Sequence, residues 1–171
     1  THLDRMALGV LWEVFADERE ALQLYEELFA REEREMEALS GQLRSGFNTP
    51  FTSGAGRLFD AAAALVGLRR TAQYEGQAAC ELEAAATTTN RSYPYRLDAG
   101  GELWEIDTRP LFQALVSHIR AGKSIGEMAG RFHLTLAKAV IETCGKISSE
   151  TGLTRVALSG GVFQNQRLTS M

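Results

Sequence analysis

The sequence contains little cysteine, little proline and no long apolar run. Its two cysteines, Cys80 and Cys144, lie far apart without a CxxC or Cys/His spacing, so we expect neither a zinc site nor a disulfide framework. Such cysteine usage fits a reducing cytoplasm, which is the compartment we expect. No apolar stretch approaches the roughly 18 residues that a membrane span needs, and residues 1–5 lack a signal-peptide pattern. We therefore expect neither secretion nor membrane insertion.

An excess of positive charge is missing as well. The 18 Lys and Arg residues are outnumbered by 22 Asp and Glu residues, giving a formal net charge of -4. Domains that neutralise a phosphate backbone are usually basic, so we expect no nucleic-acid partner. The three histidines, His2, His118 and His133, share no HxxxH or HExxH spacing. We expect no metal site within this chain and interpret each histidine as a surface or hydrogen-bonded core residue.

The apolar residues recur mainly at three- and four-residue steps, which is typical of helices. The predicted helices run from Leu3 to Phe15, Glu18 to Leu43, Ser53 to Val66, Gly76 to Ala86, Asp107 or Thr108 to Gly122, and Ser124 to Ser149. Thr52 or Ser53 is the expected N-cap of the third helix. Alternating aromatic residues around Asp98–Gly101 predict a β-hairpin, and Arg155–Leu158 predicts a short buried strand. The expected fold class is α+β and mainly helical.

Three glycine-containing segments stand out as candidate ligand contacts. Gly160 and Gly161 follow the predicted strand, where backbone N–H groups can approach a ligand because no Cβ intervenes. Gly54 and Gly56 enter the third helix, whose N-terminus favours an anion, and Asp60 lies one turn further on, within reach of ribose hydroxyls. Gly76 opens the alanine-rich fourth helix. Taken singly, each segment is better explained by a plain turn or a capped helix start than by a ligand site.

Together, four strings resemble the C-terminal domain of the HypF carbamoyltransferases in order and spacing. The strings are Gly56-Arg57-Leu58-Phe59-Asp60, Tyr74-Glu75-Gly76-Gln77-Ala78-Ala79, Arg131-Phe132-His133 and Gly160-Gly161-Val162-Phe163-Gln164-Asn165. That domain is similar to the tRNA threonylcarbamoyl-transferase family and shares the fold of actin, Hsp70 and sugar kinases. The resemblance implies a helical insert at 1–47 and, at 48–171, part of a nucleotide-binding lobe of that fold, truncated after the glycine-rich string.

The resemblance also implies a chemistry. In the family, carbamoyl phosphate and ATP give carbamoyl adenylate in a neighbouring domain, and this domain passes the carbamoyl group to the C-terminal cysteine of a HypE-like acceptor during nickel–iron hydrogenase maturation. Residue by residue, the implied nucleotide contacts fall on Asp60, Gly76, Gly160, Gly161 and Asn165. No catalytic residue is implied within the chain.

The same resemblance implies what lies outside the chain. The family's divalent metal is held by a His-rich motif expected upstream of Thr1 and an Asp expected downstream of Met171. We therefore expect the segment alone to be inactive, and a truncated sheet predicts exposed apolar surface and self-association. Two enzyme alternatives remain, a tRNA threonylcarbamoyl-transferase or an O-carbamoyltransferase. A third alternative is a helical docking module without activity of its own.

Overall fold

The computed structural model describes residues 1–98 and 103–171, which form a mainly helical α+β fold. The helices are α1 (Leu3–Val14), α2 (Glu18–Phe29), α3 (Glu33–Ser45), α4 (Ala55–Leu65), α5 (Gln77–Ala85), α6 (Arg109–Arg120), α7 (Ile125–Thr151) and α8 (Gln166–Thr169), and the strands are β1 (Arg96–Asp98) and β2 (Glu105–Asp107). A 3-10 helix at Gly161–Gln164 precedes α8.

Helix α4 lies at the centre of the core. Its four consecutive alanines, Ala61–Ala64, are all buried, and α1, α5 and α6 pack around it. Alanine side chains let several helices approach one axis closely, which explains why an Ala-rich segment is surrounded on all sides. The ring of Phe59 meets that of Phe132 from α7 edge-on at 5.1 Å between centroids, so aromatic packing joins α4 to α7.

The single helix predicted from Glu18 to Leu43 is wrong, because the structure divides it into α2 and α3. Ala30 adopts a left-handed conformation (φ 47°) and ends α2. The Arg70 side chain donates hydrogen bonds to the carbonyl oxygens of Phe29 at 2.9 Å and Leu28 at 3.2 Å. Carbonyls at a helix end lack helical partners, and a distant arginine satisfies two of them here.

The other predicted helices are confirmed with small differences at their ends. The N-cap of α4 is Gly54 rather than Thr52 or Ser53, although the Thr52 hydroxyl accepts a hydrogen bond from the Gly54 N–H at 3.1 Å. Thr108 is the N-cap of α6, with Pro110 in the first turn. No helix in the two described ranges has both the length and the apolarity to cross a membrane.

The predicted hairpin is confirmed in its strands. Strands β1 and β2 pair antiparallel, with Leu97 opposite Ile106. The predicted glycine turn at residues 99–101 lies outside the described residues. Because this is the only ladder in the described part of the chain, the sheet is a small appendage to a helical core.

The buried strand predicted at Arg155–Leu158 is wrong. Residues 152–159 are exposed and form neither helix nor strand, and the side chains of Leu153, Val156 and Leu158 are 66%, 60% and 52% exposed. The second half of α7 is also poorly covered, with Ile141 exposed. A strand needs a neighbour for its backbone groups, and the described residues provide none beside this segment.

Residues 1–47 share the core of the remaining chain. Helix α1 packs against α4 and α6, and the fully buried carboxylate of Asp4 forms an ion pair with Arg31, between α2 and α3. The packing therefore shows no boundary between residues 1–47 and 48–171. Their division into an insert and a lobe stays a prediction.

Candidate functional site

Two of the glycine-containing strings come into contact at the start of α4, and the third bears a charge that acts on the same helix. A Cβ built on Gly56 would lie 4.0 Å from Cγ2 of Val162, in the string that follows Gly160. The negative charge of Glu75, next to Gly76, acts on Asp60. A segment about 100 residues further along the chain thus contacts the first turn of α4, and Glu75 has a small electrostatic effect on Asp60. We call this region, formed by Gly56–Asp60, Glu75–Gly76 and Gly160–Asn165, the α4 site.

Asp60 is the less exposed of the two acidic residues of the α4 site, the other being Glu75. Its carboxylate is 13% exposed and accepts a hydrogen bond from Nη1 of Arg57, one turn earlier, at 2.8 Å. Burial raises the pKa of Asp60 and Glu75 raises it further, whereas Arg57 and the Thr1 amino group lower it. A half-buried carboxylate beside an exposed arginine can accept hydrogen bonds from hydroxyl groups while the arginine faces an anion.

Gly76 provides the N-cap of α5 through its backbone alone. It has φ 80° and ψ -3°, a left-handed conformation that L-residues with a Cβ seldom adopt. The following residue, Gln77, is buried, and its side-chain oxygen accepts a hydrogen bond from the Gln73 N–H at 2.8 Å. The turn is therefore held by Gln77, and Gly76 leaves its backbone N–H side uncovered by a side chain.

Gly160 and Gly161 open the third part of the α4 site. Both are exposed, and Gly160 has φ 92°. Within the described ranges, no atom lies within 4 Å of a Cβ built on either residue. The space around both glycines is thus open, although they start a 3-10 helix rather than follow the strand that the sequence predicted.

Asn165 differs from the other four predicted contacts because its side chain points inward. The residue is buried, its Oδ1 accepts a hydrogen bond from the Leu168 N–H at 2.8 Å, and its Nδ2 lies 3.1 Å from Nε2 of His133. It therefore caps α8 and joins it to α7. Its assignment as a nucleotide contact stays a prediction, as do those of Asp60, Gly76, Gly160 and Gly161.

The sequence predicts no role for Arg57 or Glu75. From sequence alone His133 is interpreted as a surface or hydrogen-bonded core residue, and the structure confirms that His133 is buried and hydrogen-bonded. The i,i+3 spacing of Arg57 and Asp60 on one helix is a signal that finds their pairing. The contact of His133 with Asn165 spans 32 residues, and no local pattern announces it.

The α4 site offers binding groups rather than a metal centre. Residues 1–98 and 103–171 contain no group of three His, Cys, Asp or Glu side chains that could hold a metal ion. Cys80 is exposed and Cys144 is half-buried, and both are free thiols. What the arrangement provides is a helix N-terminus, exposed glycine backbone, one guanidinium and the two carboxylates of Asp60 and Glu75. The first three suit an anionic part of a ligand, and the carboxylates suit its hydroxyl groups.

Comparison with known proteins identifies relatives along the whole chain. The family profile "Carbamoyltransferase, Kae1-like Domain, second subdomain" matches residues 1–171. The carbamoyltransferase HypF of Synechocystis sp. is 33% identical over 174 residues, covering 94% of this chain and 22% of that protein. HypF of Rhodobacter capsulatus is 41% identical over 127 residues, covering 74% of this chain and 16% of that protein.

Solved structures agree with these sequence relatives. A full-length HypF crystallised in a phosphate- and nucleotide-bound form superposes with a TM-score of 0.87 at 30% identity, covering 99% of this chain and 26% of that one. HypF of T. kodakarensis gives a TM-score of 0.79 at 32% identity, covering 99% and 23%. The chain thus spans about a quarter or less of each of these four relatives. Because the family profile covers every residue, the chain belongs to the family of the second subdomain of the carbamoyltransferase Kae1-like domain.

Proposed function

We propose that this chain is the part of a HypF-type carbamoyltransferase that helps hold ATP or carbamoyl adenylate. The observation that carries the proposal is the contact of the Gly160–Asn165 string, through Val162, with Gly56 in the first turn of α4, the helix that carries Asp60. Its relatives are named carbamoyltransferases, and one related structure is described as phosphate- and nucleotide-bound. In the wider fold, the chain would form part of one lobe of the actin, Hsp70 and sugar-kinase architecture.

In this proposal each element of the α4 site has a separate task. The N-terminus of α4 and the N–H groups of Gly160 and Gly161 face the phosphate, because unpaired N–H donors and the positive end of a helix favour anions. Asp60 accepts hydrogen bonds from ribose hydroxyls, while Arg57 is free to move from Asp60 to the phosphate. Gly76 lets the ligand approach the start of α5 without meeting a side chain.

In this proposal, the other steps of the reaction are carried out by groups outside this chain. Carbamoyl phosphate and ATP would supply the carbamoyl adenylate, a divalent metal ion would be bound by other parts of the polypeptide, and a HypE-like protein would accept the carbamoyl group on its C-terminal cysteine. The described side chains do not fit a metal ion, so the task proposed for this segment is to bind and orient the nucleotide.

Calorimetric titration of ATP tests the proposal on the protein encoded by the complete reading frame that contains this sequence. Asp60→Asn is expected to weaken ATP binding about tenfold, since a charge-assisted hydrogen bond contributes roughly 1.5–3 kcal/mol. Asp17→Asn is the matched control: Asp17 is the exposed N-cap of α2, and asparagine caps helices equally well. Absence of ATP binding by the unsubstituted protein would refute the nucleotide site, and equal affinity of the Asp60→Asn protein would remove Asp60 from it.

One observation favours a second role, that of a docking module for a partner protein. Leu153, Val156 and Leu158 lie exposed in one continuous segment, and exposed apolar patches often mark interaction surfaces. A pull-down with the acceptor protein separates the two roles. Retention of the acceptor by the 171-residue chain would support docking, whereas retention by the rest of the polypeptide alone would exclude it.

A further inference from the structure

His133 lies on α7, in the interior of the protein, and its protonation state can be deduced from its partners. The residue is fully buried, and its Nδ1 lies 2.8 Å from the Ala129 carbonyl oxygen. A carbonyl oxygen only accepts hydrogen bonds, so Nδ1 carries a hydrogen. The imidazole is thereby oriented by its own helix, one turn back along α7.

The other ring nitrogen faces Asn165. Nε2 of His133 lies 3.1 Å from Nδ2 of Asn165, and an amide nitrogen can only donate. The orientation of this amide is fixed because its Oδ1 accepts a hydrogen bond from the Leu168 N–H at 2.8 Å. Nε2 must therefore accept, and the imidazole is neutral. Three hydrogen bonds in series run from Ala129 through His133 and Asn165 to Leu168, each with one consistent donor and acceptor.

The surroundings of His133 favour this neutral state. The ring of Phe59 from α4 lies edge-on at 5.4 Å between centroids. Burial lowers the pKa of His133 most; the Arg167 charge from α8 lowers it further, while the Ala129 carbonyl and Glu83 from α5 raise it. Arg167 is itself fixed, since its backbone N–H donates to Glu83 at 2.9 Å and Nη1 donates to the Ala86 carbonyl at 3.0 Å.

We infer that His133 is a positioning residue, whose neutral imidazole holds Asn165 and through it the turn Gly160–Asn165 against α4. The turn ends at Asn165 and touches α4 through Val162 and Gly56. Fixing its last residue limits where the exposed Gly160 and Gly161 can lie. The effect of His133 on nucleotide binding rests on the proposed function. Its effect on the position of the turn Gly160–Asn165 does not.

Protonation of His133 would disrupt this arrangement. A hydrogen on Nε2 faces the Nδ2 hydrogens of Asn165, so two donors oppose each other. Turning the Asn165 amide over restores that contact only by removing Oδ1 from the Leu168 N–H, which uncaps α8. In either case the turn loses one of its attachments.

Hydrogen exchange measured by mass spectrometry on the 171-residue chain tests the inference in peptides that cover residues 160–168. His133→Leu removes the donor and the acceptor, and we expect exchange there to accelerate about tenfold, the effect of losing a buried hydrogen bond. His133→Gln retains one donor and one acceptor and should restore most of the protection. His118→Leu is the matched control, because His118 contacts Tyr93 instead and should leave residues 160–168 unchanged.

Two further measurements remain informative if His133→Leu does not fold. In the unsubstituted chain, protection of residues 160–168, corrected for the intrinsic pH dependence of exchange, should fall as the pH drops below 6.5, and in His133→Gln it should not. Asn165→Asp keeps a helix-capping side chain but places a carboxylate opposite Nε2, so it should raise the pKa of His133, measured by NMR. An unchanged pKa of His133 in Asn165→Asp would show that the imidazole does not face residue 165, and it would overturn the inference.

The ATP titration separates failure of the inference from failure of the proposed function. Accelerated exchange in His133→Leu with rescue by His133→Gln supports the inference even in a protein that binds no ATP, a result that would refute only the nucleotide site. Unchanged exchange at residues 160–168 in His133→Leu, or the absence of rescue by His133→Gln, overturns the inference whatever the ATP affinity. Where ATP does bind, its affinity should fall in His133→Leu and recover in His133→Gln.

Discussion

Gly130 lies where α7 passes the segment after α5 so closely that no side chain fits. A Cβ built there would overlap the Thr87 carbonyl oxygen, a backbone atom. Gly130→Ala must therefore displace the backbone of one segment, and overpacking of this kind costs about 1–3 kcal/mol. We expect the substitution to lower the free energy of unfolding by that amount, measured by urea denaturation.

Gly145 on the same helix provides the matched control. Within the described ranges, no atom outside the adjacent residues and the backbone of α7 itself lies within 4 Å of a Cβ built at this position, so only the helix propensity changes. Gly145→Ala should raise the free energy of unfolding by roughly 0.5–1 kcal/mol. Equal effects of the two substitutions would show that the contact of Gly130 with Thr87 does not exist in solution.

The break between α2 and α3 predicts that glycine substitutions at two exposed alanines, Ala30 and Ala38, have opposite effects on stability. Ala30 has φ 47°, where an L-residue costs about 1 kcal/mol that glycine does not. We expect Ala30→Gly to raise the midpoint of thermal unfolding, because it relieves this cost without removing a buried contact. The measurement is differential scanning calorimetry.

Ala38, exposed within α3, is the counterpart with ordinary helical geometry. Ala38→Gly should lower stability by about 1 kcal/mol, the usual cost of glycine inside a helix. If both glycine substitutions destabilise, the chain from Glu18 to Leu43 is one continuous helix, as its sequence pattern predicts, and the left-handed Ala30 is wrong.

These helices show how far local pattern determines the elements. The stripes of α1, α4, α6 and the first half of α7 are visible in the sequence because one face of each helix is buried. The end of α2 at Ala30 is not visible in the sequence, since alanine favours helix and the Arg70 side chain that stabilises this end lies about 40 residues away. The strand predicted at Arg155–Leu158 fails for a similar reason, because a strand depends on a neighbour that its own residues do not specify.

The α4 site was only partly predictable. Gly76 and Gly160 were found because glycine has a local meaning wherever positive φ is needed, and both adopt it. The inward orientation of the Asn165 side chain could not be predicted from the sequence, because it depends on the contact with His133. Sequence therefore pointed to the strings, but it did not separate residues that face a ligand from residues that hold the turn.

At the scale of the whole molecule, the exposed segment from Leu153 to Leu158 should govern self-association. Apolar side chains without cover favour contact between copies. The double substitution Val156→Lys with Leu158→Lys should decrease the fraction of dimers or larger species at a given concentration, measured by sedimentation velocity.

Phe51 provides the control for this association. It is the most exposed of the large apolar side chains in the described residues, and it lies just before α4, far along the chain from residues 153–158. Phe51→Lys should leave sedimentation unchanged. Equal loss of association in both proteins would indicate general stickiness rather than a defined surface, and a monomeric unsubstituted chain would exclude association altogether.

The stability of the whole protein should fall in mild acid because of its buried imidazole. Burial lowers the pKa of His133 below its ordinary value of 6.5, so below pH 6.5 the unfolded chain binds a proton that the folded chain does not. The stabilisation is complete above pH 6.5 and is lost as the pH falls towards the folded pKa, with a slope approaching about 1.4 kcal/mol per pH unit.

This acid effect can be separated from that of the carboxylates. Glu81 and Glu142 have pKa values lowered below 4.5 by hydrogen bonds from Arg69 and Tyr95, so their loss begins only below that pH. His118 also has a lowered pKa, owing to burial, but it is partly exposed and solvent screens its contribution. Urea denaturation between pH 7.5 and 5 should therefore give a flatter profile for His133→Gln than for the unsubstituted chain, with His118→Gln changing it less. Parallel profiles for all three proteins would mean that His133 binds a proton equally well in the folded and unfolded states. That result would contradict its hydrogen bonds to Ala129 and Asn165.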